Sequence, residues 1–80
     1  MSYQTTGRVH GSDRSHLPAV LIALRAIPGC EAEPEHMEQG WQVRCTFTGL
    51  ETPADTWATM RLTREAVESA RSAYRDAGVT

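Results

Sequence analysis

The eight residues Trp41-Gln42-Val43-Arg44-Cys45-Thr46-Phe47-Thr48 constrain the fold more than any other stretch. Apolar Trp41, Val43, Cys45 and Phe47 alternate with polar Gln42, Arg44, Thr46 and Thr48. Successive side chains of a strand leave on opposite sides, so this repeat fits a strand with one buried and one wet face. It is expected at the centre of a small sheet, with helices packed on its apolar side.

The residues before it read as its hairpin partner. Cys30 to Glu38 is an extended run, and Gln39-Gly40 supplies a turn. With a two-residue turn there, Glu38 stands opposite Trp41, Met37 opposite Gln42 and Glu35 opposite Arg44. That register sends Cys30, Ala32, Pro34 and His36 to the apolar side and Glu31, Glu33, Glu35 and Met37 to water. Glu35 and Arg44 then form a cross-strand pair of opposite charge. Pro34 has no N–H to give a ladder, so the strand belongs at an edge.

Two helices flank this hairpin. Ser15 is a suitable N-cap with Pro18 in the first turn, and Leu17, Val20, Leu21, Leu24 and Ile27 form one apolar stripe. Ile22 falls off that stripe, and Pro28-Gly29 ends the helix. The last helix spans Arg64 to Ala77, with Ala66, Val67, Ala70, Ala73, Tyr74 and Ala77 inward and Gly78 as its stop. Between hairpin and last helix, residues 56–62 read as a third strand with Trp57, Thr59 and Arg61 outward, because the three threonines between 56 and 63 disfavour a helix. The competing reading takes Thr52-Pro53-Ala54-Asp55 as a capping box opening one long helix to Ala77, which would make Trp57 core. The strand is the preferred reading. Residues 1–13 form either a short strand through Tyr3, Thr5 and Val9, broken by Gly7 and Gly11, or a flexible arm.

The expected fold is therefore one α+β domain over residues 1–80: a two-layer sandwich of a three-stranded antiparallel meander with two helices on one face, order αβββα. An N-terminal strand would add a fourth. Helix-strand-strand-strand-helix is similar to the element order of double-stranded-RNA-binding domains. The similarity is one of order alone: where that family's final helix opens with a lysine cluster, this chain has Thr63-Arg64-Glu65-Ala66.

Composition narrows the function classes. A chain of 80 residues buries only ~60% of its unfolded surface, so one thin core must hold it. Its formal charge is −2, with every basic residue an arginine or histidine, and this argues against phosphate-driven nucleic-acid binding. No apolar run is long enough to cross a bilayer, no secretory leader is recognised, and the expected location is the cytoplasm. Cys30 and Cys45 lack the paired spacing of a zinc site and read as small core thiols; no metal, cofactor or catalytic constellation is expected. Glu31, Glu33, Glu35 and Glu38 crowd one edge strand, where like charge keeps foreign strands away. Together with Arg44, Trp57 and Arg61, the carboxylates Glu31, Glu33 and Glu35 compose a surface suited to a protein partner. The sequence thus suggests a small non-catalytic binding module, an inhibitor or adaptor, with homodimerisation through the edge strand as one option. The alternatives are a nucleic-acid-binding domain of that element order and a phage-encoded inhibitor of a host nucleic-acid-binding complex.

Overall fold

A computed structural model describes residues 1–78, with side chains through Ala73. It is an α+β fold of three antiparallel strands and two helices, in the order β-α-β-β-α: β1 (Tyr3–Gly11), α1 (Leu17–Arg25), β2 (Cys30–Glu35), β3 (Trp41–Leu50) and α2 (Pro53–Gly78). A 3-10 turn, Arg14–His16, leads into α1. The strands lie in the order β1-β3-β2, so the alternating stretch is indeed the central strand. Trp41, Val43, Cys45 and Phe47 are all buried, and Val20 and Leu24 of α1 are fully so. Each such side chain contributes about 1.5–3 kcal/mol by leaving water. Leu17, Leu21 and Ile27 pack around them, and Ile22 stands 72% exposed off the stripe.

The expected third strand is not one. Residues 53–62 form the first turns of α2, which runs unbroken through Arg64, where a separate last helix is expected to begin. Two causes act together. Asp55 closes the capping box, its carboxylate accepting from the N–H groups of Glu51 and Thr52 at 2.9 Å each while the Thr52 hydroxyl accepts from Asp55 N–H at 3.3 Å. The threonines also fit the helix: Thr59 Oγ1 donates to the Thr56 carbonyl and Thr63 Oγ1 to that of Thr59, each at 2.7 Å. The third place in the sheet is already filled by β1, which pairs with β3 from Gly11↔Trp41 to Tyr3↔Leu50, with an irregularity between Tyr3 and Thr5. Within residues 1–13, Tyr3–Gly11 is thus strand rather than arm, and the helix-strand-strand-strand-helix order is absent.

The hairpin register differs from expectation by two residues. Ala32 faces Cys45, Glu33 faces Arg44 and Glu35 faces Gln42, leaving residues 36–40 as the loop. His36, expected on the inner face, is exposed there. A shift of two preserves which side of the sheet each residue occupies, so the split between apolar and wet faces stands. Arg14 holds the loop, its Nη2 donating to the carbonyls of Met37 (2.6 Å) and Glu38 (2.7 Å) and its Nε to that of Gly40 (2.9 Å). Ser15 does not cap α1, whose N-cap position is His16 without a side-chain cap; Asp13 instead caps the preceding 3-10 turn, its Oδ1 accepting from Ser15 N–H at 3.0 Å. In α2, Val67 and Ala70 are buried and Ala66 partly so, but Ala73 is exposed. The inward placement expected for Tyr74 and Ala77 lies outside the described side chains.

Trp41 fixes one end of the core. Its ring lies against Gly11, where a Cβ would come within 2.6 Å of the indole, and the Arg71 guanidinium sits 5.7 Å from the ring centroid. Gly40, at φ +70°, is equally constrained, since a Cβ would meet the Gly11 carbonyl oxygen at 2.3 Å. Gly7, by contrast, has no atom within 4 Å of an added Cβ. Gly11→Ala is expected to cost about 1–3 kcal/mol through overpacking, whereas Gly7→Ala leaves stability within about 1 kcal/mol of the parent or raises it. Urea unfolding of the two variants measures the contrast.

Candidate functional site

Both helices lie on one side of the sheet, so the other face is open. Three cross-strand rows build it, because residues at matching register project together. His10, Gln42 and Glu35 form one row, Arg8, Arg44 and Glu33 the next, and Thr6, Thr46 and Glu31 the third. Charge is segregated along the columns: guanidiniums on β1 and β3, carboxylates on β2. Glu31, Glu33 and Arg44 are exposed; Glu35 is half-buried. Glu35 does not pair with Arg44. Its Oε1 accepts from Gln42 Nε2 at 3.0 Å and from Arg8 Nε at 2.8 Å, a bond that reaches across the central strand. The hydrogen bond from Gln42, and then that from Arg8, hold its carboxyl below the ordinary 4.5.

Of the six expected contact residues, Glu31, Glu33, Glu35 and Arg44 come together on this face. Trp57 and Arg61 do not join them. Both lie on α2, where Trp57 is 69% exposed and flanks a shallow depression with Ala54, Ala58, Arg61 and Arg64. Trp57 is therefore helical without being core, since the inward side of this helix is taken by Thr59, Thr63, Val67 and Ala70. Arg8, Thr6 and His10 complete the open face and went unassigned in the sequence. The alternation of Tyr3, Thr5 and Val9 is the signal that points to them.

The shifted register brings the cysteines together. Cys30 faces Phe47, which places it diagonally beside Cys45 on the inner side. Burial raises both thiols. Cys45 reaches about 11, pushed up by burial and then by Cys30; in Cys30 the hydrogen bond from Cys45 works against the rise. Neutral thiols are poor nucleophiles. Among the described residues, no group of three or more His, Cys, Asp or Glu side chains is placed to hold a metal ion. No protein-family model, curated protein or solved structure matches the chain.

Two measurements check this electrostatic picture. Because the folded carboxyl of Glu35 titrates below its unfolded value, its contribution to stability is complete above about pH 4.5 and disappears as pH falls through the folded value. Glu35→Gln should accordingly flatten the acid limb of a stability-versus-pH curve between pH 6 and 3, leaving the part due to Asp13 and Asp55, which are also depressed by local hydrogen bonds. Iodoacetamide at pH 7.5 should alkylate Cys30 and Cys45 much more slowly in the native protein than in denaturant, with Cys45 the slower.

Proposed function

We propose that this protein is a non-catalytic binding module, acting in the cytoplasm as an inhibitor or adaptor, whose contact surface for a protein partner is the open face of the sheet. The observation that carries the reading is the separation of charge on that face. Glu31 and Glu33 stand exposed on β2, Arg44 and Arg8 beside them on β3 and β1. A merely solvated face mixes its charges, whereas separated columns favour a partner with the opposite arrangement and fix the orientation in which it docks. The same carboxylates repel phosphate and so weigh against nucleic acid. Trp57 and Arg61 form a second patch on α2, with the aromatic and guanidinium composition common at interface centres. Two free thiols suit a reducing compartment. Among the described residues, no helix is long and apolar enough to cross a membrane.

The test is affinity capture from the native host with the parent chain and with the double variant Glu31→Arg/Glu33→Arg. Exposed positions tolerate the change, so the melting temperature should hold within a few degrees. Mass spectrometry should show the partner lost from the variant. Identical captures by both chains would remove the open face from consideration.

A further inference from the structure

The two edges of the sheet are guarded unequally. On β2, Pro34 presents no N–H, Arg25 Nε occupies the Ala32 carbonyl at 3.1 Å, and Glu31 and Glu33 repel a like-charged strand. β1 carries neither proline nor carboxylate over its nine residues and pairs only with β3. Every second residue of β1 therefore turns its N–H and C=O sideways without a strand partner among the described residues.

Behind this unguarded edge lies a groove of about 560 Å³ between β1 and α2. Gly7 and Val9 form its floor with Cys45 and Phe47, and the stripe of α2 from Thr56 to Arg71 forms its wall. At 1.5 Å per residue that wall is about 22 Å long, enough for about seven residues of extended chain. Both ends are tied shut. Tyr3 OH donates to the Thr52 carbonyl at 2.8 Å and meets Thr56 Oγ1 at 2.5 Å, while Arg71 Nη2 donates to the His10 carbonyl at 3.0 Å. Gly7 sits midway between these ties with open space where a side chain would be. Packing does not require glycine there, and glycine inside a strand costs stability, so its use fits a site where another backbone comes close. The charge around the groove is complementary to an acid. Arg8, Arg64 and Arg71 line it against the single carboxylate of Glu68, and Arg64 has no ion pair among the described residues.

We propose that β1 accepts an extended acidic segment of a partner protein as a fourth strand, with alternate apolar side chains seated in the groove above Gly7, the intervening carboxylates beside Arg8 on the sheet's other side, and a groove-side carboxylate at Arg64. Strand addition accounts for the free edge and the groove together. The inference rests on the reading of this chain as a protein-binding module, but centres on the β1 edge and the groove, with Arg8 alone shared with the open face.

The test pans a phage-displayed library of random dodecapeptides against the intact chain. Enriched sequences should alternate apolar and acidic residues over about seven positions. Adding a synthetic peptide of the enriched sequence should slow hydrogen exchange at alternate amides of β1 by about tenfold or more. Gly7→Val, which meets no atom and favours a strand, should keep or raise the melting temperature while weakening the peptide by about tenfold or more. Arg64→Glu should weaken it as well, and Glu33→Arg on the opposite face should not. Failure of the library to enrich such sequences, or an enriched peptide that perturbs the open face instead, would overturn the proposal. So would a parent chain that is already a dimer with β1 amides protected and that Gly7→Val returns to monomer, since the groove would then belong to a second copy. If panning fails while the Glu31→Arg/Glu33→Arg capture experiment succeeds, the groove proposal falls alone; if both fail, the binding-module reading falls with it.

Discussion

A central strand has two edges and, here, one apolar face, and everything else in this molecule follows from how those three surfaces are covered. β1 and β2 take the edges of β3 by antiparallel pairing. The apolar face carries Trp41, Val43, Cys45 and Phe47, and it is covered chiefly by α1, whose Val20 and Leu24 are shut off from water entirely. α2 completes the cover with Val67 and Ala70, small side chains that let the second half of the helix approach. Its first half stands away from the sheet and leaves Trp57 and Met60 in contact with solvent. One core, filled on the β2 side and left open beside β1, is what a chain of this length can build.

The geometry around the hairpin loop is set from a distance. Arg14 donates to three loop carbonyls from the far side of a strand-to-helix connection, and Gly40 backs onto the Gly11 carbonyl. These contacts link the end of β1 to the turn between β2 and β3, so the register of the hairpin depends on a segment nearly thirty residues earlier. A two-residue turn gives way to a five-residue loop because those carbonyls have a guanidinium to satisfy them.

Function, on this reading, resides in surfaces rather than in reactive groups. Both thiols are held neutral by burial, and the one carboxylate joined to a guanidinium among the described residues, Glu35, is engaged across the sheet. What remains available is an open face with its charges in separate columns, an aromatic patch on α2, and one strand edge without the proline and carboxylates that close the other.

Local patterns by themselves determined the parity of β3, the inward stripe and the stop of α1, the wet placement of Glu31, Glu33 and Glu35, and the buried Val67 and Ala70. Each of these depends on periodicity within one element, which a sequence displays directly. Even the hairpin error of two residues left the residues that stay in β2 on their expected side, because a strand repeats every two; His36, now in the loop, is the exception. The competition for the second edge of β3 was decided only in three dimensions. Residues 1–11 and 56–62 both carry strand-like alternation, and the local signals oppose one another, the threonines against the capping box at Thr52; β1 prevails because Tyr3, Gly11 and Trp41 lock it at both ends while that box draws residues 53–62 into helix. The fate of Trp57 follows from that outcome, and the proximity of Cys30 to Cys45 from the hairpin register, since long-range pairing, unlike periodicity, leaves no mark in neighbouring residues.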